Sequence, residues 1–283
     1  MRTDIISIRP MNRNELDMAI DWAEAEGWNP GLHDADCFYA TDPDGFLIGL
    51  LEDEPVAMVS AVTYGDSYGF MGFYIVKPEF RERNFGLLLW DRGLEYLGNR
   101  CAGLDSVRPD LVSRQKPEFK PAHTNYRFKW IKNERSRAVS EVVELSQVPF
   151  SALSLYDREV FGFARDPFLK CWISRPGTRA LGLMKNDEFS GYGVIRQCRE
   201  GFKIGPLFAD DAESARALFE ALTTDVELGE PIYLDTPERN PGAVALAHSY
   251  RMTEVFRTTR MYNRQEPSLP LDKWFGITSF ELG

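Results

Sequence analysis

The chain has 283 residues, 43% of them apolar and 13% aromatic, and a formal charge of −10 at pH 7. That length suits two domains, and the acidic balance excludes a general nucleic-acid binder while favouring a cationic partner such as an amine. No apolar run is long enough to span a bilayer and Met1 to Pro10 lack a signal-peptide core, so the expected setting is the cytoplasm, away from membranes. Cys37, Cys101, Cys171 and Cys198 lie far apart and form no metal-binding spacing; they are expected to be reduced thiols, with no metal bound.

Ile5 to Met11 reads as a first strand. Asn12 and Glu15 have capping-box spacing, and Leu16, Ile20 and Ala23 then place a helix that ends near Gly27. Trp28 to Thr41 is expected to be a loop. Strands follow at 46–51 and 56–64, separated by Glu52 to Pro55.

Residues 69–76, Gly-Phe-Met-Gly-Phe-Tyr-Ile-Val, are apolar on both alternating faces and so predict a central strand. Strict alternation puts Phe70, Tyr74 and Val76 on one face and Met71, Phe73 and Ile75 on the other. Pro78 ends the strand, and Leu87, Trp90, Leu94 and Leu97 recur at helical spacing. Between strand and helix lies Arg81-Glu-Arg-Asn-Phe-Gly86. A turn that opens straight into a helix presents unpaired N–H groups and partial positive charge, which suits a phosphate or pyrophosphate.

The run from Val76 through Arg81, Asn84 and Gly86 to Leu89 resembles the acetyl-CoA motif of the GNAT acetyltransferase superfamily, Arg/Gln-x-x-Gly-x-Gly/Ala between a strand and a helix. Arg81 takes the Arg/Gln position and Gly86 the second glycine. Asn84 replaces the first glycine, and asparagine tolerates the left-handed backbone. The resemblance implies an α/β fold with a mixed sheet that opens between the central strand and a strand at 103–107. It implies acetyl-CoA as co-substrate, its pantetheine arm along Tyr74, Ile75 and Val76, and its pyrophosphate at Arg81, Arg83, Asn84, Phe85, Gly86 and Leu87.

The helix tyrosine that often protonates the departing thiolate in this superfamily is missing. Arg114 stands near its place, and Pro117 and Pro121 argue against a regular helix over 111–126. Tyr126 and His123 are stand-ins. The central strand carries no carboxylate, so the general base is sought in Asp34, Asp36 or His33, or in the other half acting through water. Trp28, His33 and Asp235 are candidates to line the acceptor pocket.

Residues 138–283 repeat the element order. Strands are predicted at 178–185, 190–198 and 201–207, joined by turns at Asn186-Asp187 and Arg199 to Gly201, then a helix at 211–222, a strand at 232–235, a helix after Asn240-Pro241 and a strand at 255–262. Asn240, Ala243, Ala247 and Tyr250 resemble the later GNAT motif. The turn after the third of these strands holds Asp210, Asp211 and Glu213, which would repel a pyrophosphate. The chain thus resembles tandem GNAT proteins with a degenerate second unit, divided here as 1–137 and 138–283, whose closing sequence is similar to Phe275 to Gly283. The function implied is N-acetyl transfer to a small-molecule or peptide amine by direct attack on the thioester, in a monomer or homodimer. The alternative is a non-catalytic acyl-CoA-binding regulatory module.

Overall fold

The computed structural model describes residues 6–135, 141–185 and 188–283. The unit boundary at 137/138, the start of the first strand at Ile5 and a turn expected at Asn186-Asp187 lie outside them.

Strand β1 (Ser7–Pro10) leads into α1 (Arg13–Ala25). The predicted capping box forms: Asn12 Oδ1 accepts from the Glu15 N–H at 3.1 Å, and Glu15 Oε2 accepts from the Asn12 N–H at 2.8 Å. The expected loop that follows contains a helix, α2 (Asp34–Thr41). Its sequence shows little amphipathic period; it is held by burial of Ala35, Cys37 and Phe38 and by two carboxylates in its first turn. Then come β2 (Phe46–Leu51), β3 (Glu54–Tyr64), β4 (Tyr68–Val76), α3 (Phe85–Leu97) and β5 (Cys101–Ser106). A short helix, α4 (Pro109–Gln115), forms where none was expected, because Pro109 occupies its first position and Pro117 lies beyond its end. The half closes with β6 (Lys120–Ile131).

The second half runs β7 (Val142–Glu144), α5 (Phe150–Phe161), α6 (Asp166–Trp172), β8 (Thr178–Lys185), β9 (Glu188–Gln197) and β10 (Phe202–Ala209). It continues with α7 (Ala212–Leu222), β11 (Pro231–Pro237), α8 (Pro241–Ser249), β12 (Thr253–Tyr262) and β13 (Trp274–Gly276). Asn240 caps α8 as predicted, accepting from the Ala243 N–H at 3.1 Å.

All these strands belong to one mixed sheet in the order β1-β2-β3-β4-β5-β12-β6-β11-β10-β9-β8-β7, with β13 beside β10. The two halves exchange their last long strands. β12 pairs with β5 of the first half, and β6 pairs with β11 of the second. The β6–β12 ladder, Thr253↔Lys129 through Tyr262↔Lys120, then joins the halves. One apolar core accordingly draws on both, placing Phe38, Phe73, Trp172, Tyr192 and Trp274 in a single cluster.

Two of the four cysteines are not free thiols. Cys37 of α2 and Cys171 of α6 form a disulfide, with Cα atoms 5.2 Å apart across a sequence separation of 134. Cys101 and Cys198 remain free. The expectation of four reduced thiols failed because linear spacing does not reveal that α2 and α6 pack side by side.

Candidate active site

Strand β4 departs from strict alternation. The register jumps from Ser60↔Gly72 to Met58↔Ile75, so Phe73 and Tyr74 together face Val59, and Phe73 takes φ +45°. This is a β-bulge, which re-aims the side chains beyond it. Phe70, Phe73 and Ile75 consequently share the face covered by α1 and α2, with Phe73 edge-on to Phe38 at 5.7 Å. Met71, Tyr74 and Val76 share the α3 face, where Tyr74 meets Trp90 at 5.2 Å. The alternation read from the sequence is therefore out of phase after residue 72.

Strands β4 and β5 run parallel and pair only from Tyr68↔Cys101 to Met71↔Leu104. Beyond Met71 they diverge, and a cleft of about 750 Å³ passes between them. On the α3 face its lining includes Asn84, Phe85, Gly86 and Leu87, with Leu111 and Gln115 of α4 opposite. Asn84 has φ +62° and ψ 7°, the left-handed geometry that the missing glycine would have supplied. It makes no side-chain cap, so the first N–H groups of α3 are left for a ligand. A Cβ on Gly86 would lie 2.4 Å from the Tyr74 hydroxyl and 3.0 Å from Val76 Cγ2. Any larger residue here would have to push the Tyr74 ring aside, whatever binds in the cleft. Burial raises the Tyr74 phenol above its usual range.

The two arginines of the turn are differently placed. Arg81 lines the cleft, but its Nε donates to the Val76 carbonyl at 3.0 Å and its guanidinium is ion-paired with Glu26. Arg83 is not part of the lining; it lies over the rings of Phe80 and Phe85, 5.4 and 5.1 Å from their centres.

On the opposite face the lining is Trp28, Phe73, Phe256, Thr258, Phe280 and Glu281. Four of these come from the second half. Phe256 and Thr258 stand on β12, and Phe280 and Glu281 on the segment after β13. That segment crosses directly over β4: a Cβ on Gly72 would lie 2.1 Å from the Glu281 carbonyl oxygen. Ser279 Oγ accepts from the Leu282 N–H at 3.1 Å, and the Leu282 carbonyl accepts from the Tyr64 hydroxyl at 2.8 Å. Glu281 is 3% exposed. Among the described residues its carboxylate has no hydrogen bond or ion pair, and the residue lines the cleft. Thr258 Oγ1 is buried on the same wall and also without a partner.

Of the acceptor and proton-transfer candidates named from sequence, only Trp28 reaches this cleft. Asp34 is buried between the halves, 2.6 Å from Arg175 and 3.1 Å from Arg196, and accepts the Gly31 N–H at 2.9 Å. Burial pushes its carboxyl up, but Arg196, Arg175 and the Gly31 N–H outweigh it and hold the pKa at about 2, too low for an effective base. Asp36 is an exposed partner of Arg13 at 2.7 Å. His33 is the exposed residue preceding α2. Asp235 grips Arg127 bidentately at 2.7 and 2.8 Å behind the cleft wall, where Arg127 also lies 4.9 Å from the Phe280 ring centre. Tyr126 donates to Glu238 at 3.3 Å, away from the cleft. His123 is buried on β6; burial, then Arg260 and Arg239, lower its pKa to about 3. Glu281 was missed. The one signal available was the resemblance of the closing sequence to tandem relatives.

The second half has the same parting of strands, but it is filled. β10 and β11 pair in parallel from Phe202↔Ile232 to Ile204↔Leu234. Beyond that, β13 pairs with β10 at Leu207↔Gly276 and Phe208↔Trp274, and the Ile277 N–H donates to the Asp235 carbonyl at 2.7 Å. At the matching turn, Asp211 caps α7 through the Ser214 N–H at 2.8 Å and pairs with Lys185 at 3.0 Å, while Asp210 pairs with Lys273 at 2.9 Å. Among the described residues no group of His, Cys, Asp and Glu could hold a metal ion, and no helix is long and apolar enough to cross a membrane.

Known proteins share this arrangement. The model of the acetyltransferase (GNAT) family matches residues 14–134, and that of a GNAT acetyltransferase domain matches residues 153–276. Holothin acyltransferase from Pseudoalteromonas sp. (strain SANK 73390) is 30% identical over 275 residues, covering 97% of this chain and 94% of that protein. A proposed acetyltransferase from Pyrococcus horikoshii superposes with TM-score 0.83 at 23% identity, over 98% of this chain and 96% of its own. A tandem GNAT protein from the clavulanic acid biosynthesis pathway does so with TM-score 0.64 at 12% identity, over 93% and 100%. With an open β4–β5 cleft, a left-handed turn into α3 and the same element order twice, the chain belongs to the GNAT acyltransferase family as a tandem of two GNAT units.

Proposed function

We propose that the protein is an N-acyltransferase that uses acetyl-CoA and acylates an amine by direct attack on the thioester. The observation that carries this reading is the cleft between β4 and β5, which meets the uncapped N-terminus of α3 at one end and an aromatic wall that includes Glu281 at the other. The pyrophosphate is held by the N–H groups of Phe85, Gly86 and Leu87, where dipole and donors favour an anion. Arg81 supplies charge beside them once it exchanges Glu26 for phosphate. The pantetheine arm runs along the unpaired edge of β4 from Gly72 to Val76, and the bulge at Phe73 turns main-chain donors toward the thioester oxygen.

Only the first unit, residues 1–137, binds the cofactor in this reading. In the second, 138–283, β13 occupies the equivalent gap and carboxylates occupy the equivalent turn. The second unit instead builds the acceptor wall. The likeness to holothin acyltransferase supports acyl transfer as the general reaction.

The test is calorimetry with acetyl-CoA on the wild type and on Leu87→Glu. A glutamate at the third helical position suits the helix N-terminus and leaves stability intact, yet repels a diphosphate. Binding by the wild type and its loss in the variant are expected; equal affinity in both defeats the reading. Binding without thiol release across a broad amine panel favours the non-catalytic acyl-CoA module.

A further inference from the structure

We propose that Glu281, carried in from the second half, is the base that deprotonates the acceptor amine, and that the acceptor is a primary monoamine on a flat apolar body. This rests on the transferase reading above. The acceptor wall is built largely of rings, Trp28, Phe73, Phe256 and Phe280, and contains two polar side chains, Glu281 and Thr258, that have no hydrogen-bond partner among the described residues. A carboxylate shielded from bulk water and left unpaired is costly, as is a buried hydroxyl with no hydrogen bond. The deficit at the carboxylate disappears if a bound ammonium donates to Glu281; the Thr258 hydroxyl is sealed within the wall. A single carboxylate among rings matches one positive charge on an apolar carrier; a polyamine would bring further charges that the wall does not answer.

Two buried guanidinium groups face Glu281: Arg127 is held bidentately by Asp235, whereas Arg196 meets Asp34 only through Nε and keeps two terminal nitrogens without hydrogen bonds among the described residues. They act on it from β6 and β9. Elsewhere on the lining, Glu26 is tied to Arg81, Asp105 to Arg260 and Lys116 to Asp91, while Glu82 and Arg108 stand at the α3 and α4 side of the cleft.

The step balances as follows. Glu281 takes one proton from the ammonium, and the freed nitrogen lone pair forms a bond to the thioester carbonyl carbon. The C–S bond breaks, the sulfur leaves with its electron pair, and the second N–H proton passes to it to give the thiol. Glu281 then returns its proton to solvent, so one amine cation and one acetyl thioester give one amide, one thiol and one proton.

The position of Glu281 is fixed by the way the second gap is closed. The segment that fills the space between β10 and β11 continues over Gly205, where a Cβ would meet the Ile277 carbonyl oxygen at 2.4 Å, and on to Gly72. It is pinned by Arg165 to Thr278 at 3.0 Å and by Trp274 to the Val160 carbonyl at 2.8 Å. Filling the second cleft thus places the carboxylate in the first.

The experiment follows thiol release from acetyl-CoA by wild type, Glu281→Gln and Glu281→Asp. The acceptors are benzylamine, 2-phenylethylamine and tryptamine, with spermidine as comparison and hydroxylamine as a nucleophile already uncharged at neutral pH. Glu281→Gln is expected to lose about 100-fold in kcat/KM with the aromatic amines at neutral pH. It should recover toward wild type at alkaline pH, keep near-normal acetyl-CoA affinity, and lose little with hydroxylamine. Glu281→Asp should restore part of the rate. Wild-type activity in Glu281→Gln, or an equal loss with hydroxylamine, overturns the base assignment. Turnover of spermidine but of no aromatic amine, or of no amine at all, overturns the acceptor class. Absence of acetyl-CoA binding in the wild type is a different result, and it removes the transferase reading itself.

Discussion

Gly72 and Glu281 are 209 positions apart in the chain and in direct contact: a Cβ on Gly72 would lie 2.1 Å from the Glu281 carbonyl oxygen and 3.0 Å from its Cα. Neither main chain can yield easily, because Gly72 is held in the β3–β4 ladder and Leu282 is tied to Tyr64 and Ser279. Gly72→Ala is therefore expected to displace residues 280–282 and to cost about 1–3 kcal/mol of stability. Thiol release should fall about 100-fold, as expected for a proton acceptor moved by an ångström. Acetyl-CoA affinity should change little. Urea unfolding, steady-state kinetics and calorimetry on one preparation check the three outcomes, and unchanged kinetics would refute the placement.

Asn84 carries the left-handed residue of the turn without a glycine. Asn84→Gly is expected to keep acetyl-CoA binding, since glycine adopts the same φ without steric penalty. Asn84→Val should cost about 1–2 kcal/mol and weaken binding, because a β-branched side chain is disfavoured there. Thermal unfolding and calorimetry on the pair decide whether the turn geometry governs affinity.

The Cys37–Cys171 bond ties α2 of the first half to α6 of the second. Closing so long a loop is expected to contribute about 2–4 kcal/mol. A thiol reductant should lower the unfolding midpoint of the wild type and leave that of Cys171→Ser unchanged. Equal sensitivity in both proteins would show that the two sulfurs are not bonded in solution.

Asp34 is a structural anion whose pKa is held at about 2 in the folded chain, against 3.8 for an ordinary aspartate. A depressed carboxyl stabilises the fold above the unfolded pKa and loses that contribution as pH falls through the folded one. About 2 kcal/mol should therefore be present at neutral pH and fade from about pH 4 to pH 2. Asp34→Asn leaves Arg175 and Arg196 buried without their carboxylate, a loss of about 3–5 kcal/mol. Denaturant titrations from neutral to acidic pH should show the wild-type slope flattened in the variant.

Most of the fold was legible because it rests on short-range chemistry. The Asn12–Glu15 box, the Asn240-Pro241 start of α8, the strand–turn–helix around Arg81 to Gly86 and the repeated element order are all written within a few residues of where they act. Helix α2 escaped notice because burial against distant partners holds it, not its own periodicity. Of the proposed acceptor-side residues, Trp28 reached the cleft, while Asp34 and Asp235 turned out to neutralise buried arginines. A carboxylate's type and neighbours in sequence do not say whether it faces substrate or an internal cation.

By itself, the sequence determined two successive mixed α/β units, a phosphate-ready turn in the first and an acidic replacement in the second, since periodicity, caps and local charge are properties of neighbouring residues. The tertiary structure decided the rest: the bulge that turns Tyr74 to the α3 face, the exchange of β6 and β12, the union of Cys37 with Cys171, and the passage of residues 274–281 through one cleft into the other. Each depends on contacts between segments remote along the chain, where a shift of one residue in register changes which side chain a wall presents.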